Sequence, residues 1–366
     1  MKINSLEFEN FRNLEKSIIF PHNKTNVIFG ENAQGKTNLL ECIWLFCGGH
    51  SFRGASEKEI INFEKDFSKI KLNFSSQERE QTAEIRYTSG KKEVFINGVK
   101  KKSGAELIEK FSCVVFYPEH LSLVKAGPSI RRKFLDGALC QQKLKYAMFF
   151  SKYNQVLSQR NALLKDIKRH SELKSTLEIW DEHLTMLGSF LIQQRIKYAE
   201  KLKESAKYFH NGISEGKENL DIEYVSTVNE FDVENLSDIQ EKFRNELNKK
   251  LNDDLYFGYT TVGPHRDDIN IIINGMKAKT FGSQGQQRSA VLSLKLSEAK
   301  ILSEIREENP VLLFDDVLSE LDRKRQDYLL NKIKDYQVFI TCCEKEKEQL
   351  TNGKLFVVNK GIITEG

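Results

Sequence analysis

The sequence predicts an α/β fold, and three stretches carry that expectation. Asn26-Val27-Ile28-Phe29 reads as the end of a buried strand, and it runs into Gly30-Glu31-Asn32-Ala33-Gln34-Gly35-Lys36-Thr37 and then the amphipathic series Asn38 to Phe46. Val311-Leu312-Leu313-Phe314 is a second strand, apolar on both faces and ended by Asp315-Asp316. Between the two, Ser129 to about Lys207 contains no proline and repeats apolar residues at helical spacing, as in Phe134, Leu135, Ala138 and Leu139, and again in Leu184, Leu187, Leu191 and Ile192.

The elements follow in order. Ile3, Leu6, Phe8 and Phe11 alternate as in a strand closed by Asn10-Phe11-Arg12-Asn13, and Ser17 to Phe20 is the next strand, before the turn Pro21-His22-Asn23-Lys24. Gly48 to Gly54 breaks the pattern after the first helix, with Gly49 and Arg53 inside the break. Strands are expected at Lys69 to Phe74, Ala83 to Tyr87 and Glu93 to Ile96, the last ending in the hairpin signal Asn97-Gly98. Val114-Val115-Phe116 is a short buried strand stopped by Tyr117-Pro118-Glu119. After the helical middle, Gly212 to Asn219 reads as a loop, Ile222 to Tyr224 as a strand and Ser237 to Leu251 as a helix. Asn270 to Ile273 with Asn274-Gly275 is a second hairpin signal, and a helix runs from Ser283 to about Glu308. Glu320 to Lys334 is a helix, Val338 to Thr341 a strand, and Leu355 to Val358 with Gly361 to Ile363 a closing hairpin.

The first stretch is G-x-x-x-x-G-K-[ST] in a strand–loop–helix setting, a P-loop. Its backbone N–H groups from Gly30 to Asn38 can converge on phosphate oxygens, and the helix N-terminus adds a positive dipole end. Lys36 would reach the β- and γ-phosphates of ATP and the Thr37 hydroxyl would ligate Mg²⁺. Asp315, delivered at the end of the second strand, is then the Walker B carboxylate on the metal, and Asp316 stands where a group could orient or deprotonate the attacking water. Ser283-Gln284-Gly285-Gln286-Gln287-Arg288 opens the long helix as a further anion receptor. One helix N-terminus already serves the chain's own phosphate, so this second one makes sense for a nucleotide held by a partner subunit.

Composition narrows the classes. Charged residues make up 30% and hydrophobic ones 39%, as in a folded soluble protein. A net charge of +4 permits a basic surface without requiring a nucleic-acid partner. The runs Arg131-Arg132-Lys133, Lys165 to Arg169 and Lys197 to Lys207 fit either a solvated helix face or a DNA-facing one, and both readings stay open. The six cysteines show no C-x-x-C pairing, which argues against structural zinc and a disulfide framework. No secretory signal or membrane-spanning run is expected, and the compartment reads as cytoplasmic.

The Ser283 to Gln287 string, roughly 25 residues before the Walker B strand that starts at Val311, resembles the signature motif of ABC-type ATPases, and Val317 to Asp322 resembles their D-loop. Walker A and Walker B lie about 280 residues apart around a helical insertion, a layout similar to the DNA-acting SMC branch but too short for SMC coiled coils. Asn10 to Asn13, Tyr117-Pro118-Glu119, Gly127-Pro128 with Arg131 to Asp136, Gly263 to Asp268 and Gly285 to Arg288 narrow the resemblance to the RecF family of bacterial recombination mediators. The resemblance implies an ABC-type P-loop ATPase lobe built from both chain ends, residues 1–118 and 253–366, with an inserted mainly helical lobe at 119–252. It implies ATP and Mg²⁺ held between two protomers of a homodimer, Walker A of one facing Ser283, Gly285 and Gln286 of the other, and Arg12 near the nucleotide. It further implies slow, DNA-stimulated ATP hydrolysis and clamping of duplex DNA beside a single-stranded gap. RecO and RecR are the implied partners in loading RecA, and no membrane is involved.

The family pattern is modified in three places. Asp316 replaces the usual catalytic glutamate and reaches about 1.5 Å less, which favours slow turnover. Thr341-Cys342 stands where a switch histidine is expected, and Glu119 is the candidate at the position of a Q-loop glutamine. His265 and Arg266 are open to either an active-site or a turn-forming role. Another SMC-like P-loop DNA ATPase is the alternative. A small-molecule P-loop kinase would leave Ser283 to Arg288 unexplained, and a transporter subunit would need the missing histidine and glutamine.

Overall fold

The computed structural model describes residues 1–48, 50–88, 91–343 and 353–366, so Gly49 of the expected break lies outside the described residues. The first third supplies β1 (Lys2–Glu9), β2 (Ser17–Ile19), β3 (Thr25–Phe29), β4 (Phe67–Ser76), β5 (Arg79–Thr88), β6 (Lys91–Ile96), β7 (Val99–Lys101) and β8 (Cys113–Phe116). Then come β9 (Leu220–Val225), β10 (Asp268–Ile273) and β11 (Met276–Lys277). The last third adds β12 (Val311–Phe314), β13 (Val338–Cys342), β14 (Lys354–Asn359) and β15 (Ile362–Glu365). The chain divides into two compact units, one of Met1–Ser122, Gly212–Gly216 and Val291–Gly366, the other of Leu123–Asn211 and Lys217–Ala290.

The first unit holds two six-stranded sheets, ordered β2-β1-β4-β5-β6-β7 and β15-β14-β3-β13-β12-β8. The former is antiparallel throughout, and β4 alternates buried with partly exposed residues, as a sheet covered on one face should. In the latter, β14, β3, β13, β12 and β8 run parallel, and β8, β12 and β13 are buried at every position. Such strands must be apolar on both faces, which is why Val311 to Phe314 and Val338 to Ile340 read as unbroken apolar runs. Both sheets and the helix Lys36–Trp44 share one core, in which Leu6, Ile70 and Phe74 meet Leu39, Leu40 and Ile43, with Val115, Leu313 and Phe339. Each such side chain contributes about 1.5–3 kcal/mol by leaving water.

The register places the site. Cys342 lies beside Phe29 and Phe314 beside Ile340, so β3, β12 and β13 end together. In an open parallel sheet that edge is where ligands bind.

Local differences from the sequence reading have identifiable causes. The helix Leu177–Ser214 continues through Gly212, where the expected loop would begin. A Cβ on Gly212 would lie 2.4 Å from the Tyr328 hydroxyl, so the glycine is there for close packing rather than for a turn. The expected helix from Glu320 is a 3₁₀ turn, Leu318–Glu320, followed by the helix Arg323–Lys332. The Asp322 carboxylate caps that helix by accepting from the Arg325 N–H at 3.1 Å.

In the second unit the helices Pro128–Gln142, Leu144–Ile167 and most of Leu177–Ser214 accompany the antiparallel sheet β11-β10-β9. Its interior carries charge. Arg195 pairs with both oxygens of Asp136 at 2.9 Å, and the Tyr146 hydroxyl donates to the same carboxylate at 2.6 Å. Arg160 bonds Asp181 at 2.5 Å, Asp254 at 2.7 Å and the Thr260 hydroxyl at 2.8 Å. Arg131 forms a two-pronged pair with Asp268, both bonds 2.7 Å, and is buried, so the first basic run is in part interior structure. Substituting Asp136→Ala would leave the Arg195 guanidinium buried without its carboxylate. The expected cost is about 3–5 kcal/mol, read as a lower urea midpoint for the second unit, with Asp136→Asn losing less.

Candidate nucleotide-binding site

The loop between β3 and the helix Lys36–Trp44 closes on itself. Gly35 has φ 120°, a conformation that a side chain would strain, and Ala33 is also left-handed at φ 65°. The Lys36 ammonium lies across the loop, donating to the Gly30 carbonyl at 2.7 Å, the Glu31 carbonyl at 2.9 Å and the Cys343 sulfur at 3.2 Å. The Gln34 side chain is tied to the β14–β15 turn, accepting from the Lys360 N–H at 2.5 Å, while its carbonyl accepts from the Gly361 N–H at 3.0 Å and from Asn13 at 3.2 Å. The β14–β15 turn therefore braces the loop, and any contact from Gln34 to a nucleotide falls to its backbone. Asn38 continues the frame, donating to Asn13 at 2.7 Å and accepting from Arg53 at 3.0 Å.

Thr37 and Asp315 meet. The Thr37 hydroxyl donates to Asp315 Oδ1 at 2.9 Å, and the Thr341 hydroxyl lies 3.1 Å from the same oxygen. Burial pushes the Asp315 carboxyl above its usual pKa; these two hydroxyls oppose that shift and neighbouring Asp316 adds to it. Two hard oxygens side by side suit a magnesium ion that takes its remaining ligands from phosphate and water. Among the described residues no group of three or more His, Cys, Asp or Glu could hold a metal alone. Asp316 is left-handed at φ 54°, and its N–H donates to the Thr341 hydroxyl at 2.8 Å, so one threonine steadies both carboxylate residues.

A cleft of about 780 Å³ opens over this edge, lined by Arg12, Asn32, Lys36, Thr37, Asp316 and Phe63 among others. Arg12 reaches it from a left-handed turn (φ 51°) and is held by fully buried Glu41, with Nε 2.5 Å from Oε2 and Nη2 2.9 Å from Oε1. Ser51 donates to the same carboxylate, so the expected break after the first helix supplies both Ser51 and Arg53 to the site.

The other sequence-derived candidates lie elsewhere. Ser283, Gly285 and Gln286 belong to the second unit and open the helix Gln284–Arg306. The Ser283 hydroxyl accepts from the Gln286 N–H at 3.2 Å and Gln286 Oε1 from the Ser283 N–H at 2.8 Å, a reciprocal capping box that leaves the serine exposed. His265 is structural. Nε2 donates to the Thr260 carbonyl at 3.0 Å and Nδ1 accepts from the Tyr153 hydroxyl at 2.7 Å, and burial pushes its pKa down to about 4. Arg266 donates to the same carbonyl at 3.2 Å. Glu119 is exposed in the 3₁₀ turn Pro118–Ser122, outside the set of residues lining the cleft.

Sequence reasoning missed Thr341, Cys343, Glu41, Arg53 and Phe63. Cys343, which follows β13, accepts from Lys36; its sulfur donates to Asn32 Oδ1 at 3.0 Å and lies 3.8 Å from Asp316 Oδ2. The signal for Thr341 and Cys343 is their position at and just past the C-terminal end of a buried parallel strand.

The family description RecF/RecN/SMC N terminal domain matches residues 2–363. The DNA replication and repair protein RecF of Acetivibrio thermocellus is 41% identical over 347 residues, covering 94% of each chain. The solved structure of the recombination mediator protein RecF-ATP in the RecFOR pathway superimposes with a TM-score of 0.92 at 40% identity, over 100% of this chain and 97% of that one. The Smc head domain of Pyrococcus furiosus, 16% identical, shares the fold with a TM-score of 0.56 over 100% and 96% of the two chains. With its strand-ended P-loop, paired aspartates and full-length likeness, the chain belongs to the RecF family of SMC-related ABC-type ATPases.

Proposed function

We propose that this chain is an ATP-dependent DNA-binding ATPase of recombinational repair and replication restart. ATP drives its homodimerisation, the dimer holds duplex DNA beside a single-stranded gap, and slow hydrolysis releases it. The observation that carries this reading is that Lys36, Thr37 and Asp316 line one cleft, with buried Asp315 bonded to Thr37, while Ser283 stands exposed on a separate helix N-terminus. That division supports a pocket completed by a second protomer. The backbone amides from Gly30 to Asn38 would receive the phosphates with Lys36, while Thr37 and Asp315 would hold Mg²⁺, which neutralises phosphate charge when bound. Asp316 would orient the attacking water. Arg12, fixed by Glu41, would sit at the nucleotide's edge, and Ser283, Gly285 and Gln286 would reach the γ-phosphate from the partner. RecR and RecO are the proposed protein partners, acting with this chain to load RecA, in line with the RecFOR pathway named for the solved relative. Among the described residues no helix is long and apolar enough to cross a membrane.

Lys36→Ala is expected to abolish ATP binding in a titration with a fluorescent ATP analogue. Ser283→Arg should bind ATP as the parent does yet stay monomeric by light scattering, with gapped DNA present or absent; dimers of normal stability would refute the trans arrangement. Thr341→Val removes the hydroxyl shared by Asp315 and the Asp316 N–H. Hydrolysis should slow by roughly tenfold, about 1.4 kcal/mol in the barrier, with the ATP dissociation constant unchanged, and a fall in affinity instead would assign Thr341 to binding.

A further inference from the structure

The second unit carries an aromatic surface that its own packing does not use. The helix Leu251–Phe257 docks through Leu251 and Leu255 onto Leu164 and Ile167 of the helix Leu144–Ile167. That register turns the next two residues outward: Tyr256 is 77% exposed and Phe257 52%. A turn at Gly258 (φ 76°) then brings Tyr259, 39% exposed, back against Phe257. The rings of Tyr256 and Phe257 meet edge to face at 5.1 Å, and those of Phe257 and Tyr259 stack at 5.6 Å with 21° between their planes.

Cations border the rings. The Arg266 guanidinium lies 4.7 Å over Tyr259, and Lys168 Nζ donates to the Tyr256 carbonyl at 2.7 Å. Lys165 packs beside Gly258, and Arg169 follows Lys168 in the exposed turn after that helix. Three acids lie near in sequence: Asp253 is paired with Lys250 at 2.9 Å, Asp254 is buried and paired with Arg160 at 2.7 Å, and Asp166 is exposed between the lysines. Exposed rings, Tyr256 most of all, within a border of excess positive charge suit a ligand that is both flat and polyanionic. A duplex hides its base faces in the stack, and an acidic peptide offers no flat faces to match three rings. A single strand presents both features at once.

We propose that Tyr256, Phe257 and Tyr259, with Lys165, Lys168 and Arg266, form a stacking platform for single-stranded DNA. This deepens the gapped-DNA reading above and rests on it, but the platform is independent of ATP, because none of its residues belongs to the nucleotide cleft. Phosphates pass along the lysines while successive bases stack on the rings, without preference for sequence beyond stacking strength.

The test is fluorescence anisotropy of a labelled oligo(dT) with the full chain, in the absence of nucleotide and at several salt concentrations. Tyr256→Ala should weaken binding by about tenfold and the triple alanine variant by about a hundredfold, with the salt slope unchanged. Lys168→Gln should lower the salt slope by about 0.7 per charge removed. ATP-dependent retention of duplex DNA should be the same in all variants, which separates failure of the platform from failure of the dimer clamp. Photocrosslinking of bromodeoxyuridine-substituted oligonucleotide to the unaltered protein, mapped by mass spectrometry, should mark Tyr256 or Phe257 and needs no variant to fold. Parental affinity in the triple variant, crosslinks confined to other surfaces, or no oligo(dT) binding by the parent would each overturn the proposal, the last directing attention to a protein occupant.

Discussion

Parallel pairing between strands from opposite ends of the chain is the constraint on which the site depends. Thr25 lies beside Val338 and Cys113 beside Val311, so residues separated by hundreds of positions must enter one sheet in one register. A slip of one residue would send each strand's side chains to the opposite face and move Asp315 away from Thr37. The 2.9 Å bond between that hydroxyl and carboxylate is therefore a report on the whole sheet. Thr341 makes the arrangement stiffer, because it ties β13 to the residues that follow β12. The C-terminal turn does the same for the phosphate loop through Gln34.

Much of this was legible in the amino acids. The P-loop could be read because its glycines, lysine and threonine act through backbone geometry and point charge, which depend on local spacing alone. The buried strands could be read because exclusion from water on two faces leaves no room for polar residues. Thr341 and Glu41 could not be read in the same way, since their importance lies in partners 26 and 29 positions away, reached only after folding. Gly212 misled for a related reason: a glycine needed for contact with Tyr328 looks in sequence like one needed for a turn.

The charge runs show how far composition can take such an argument. Arg131 belonged to neither of the surfaces considered for it, because Asp268, 137 positions later, takes its guanidinium into the interior. Lys197 and Lys203, by contrast, make exposed pairs with Glu234 and Asp221. Pairs of that kind contribute little to stability in water. The second unit thus keeps Arg131, Arg160 and Arg195 inside, each matched by a carboxylate, and its inexpensive pairs outside. Interior matching of this sort specifies one arrangement of helices more sharply than apolar packing alone, since a shifted helix would strand a guanidinium.

The split origin of the parallel sheet also bears on how the polypeptide leaves the ribosome. When β3 and β8 emerge, the strand that lies next to each of them has yet to be synthesised, since β12, β13 and β14 come near the end of translation. Until then two apolar strands have open edges, the kind of surface that pairs with other chains. The inserted unit, whose sheet and helices are contiguous over most of their length, can form first. Nascent chains of this layout are thus natural clients for holding chaperones, and truncation near the C-terminus would expose the same edges permanently.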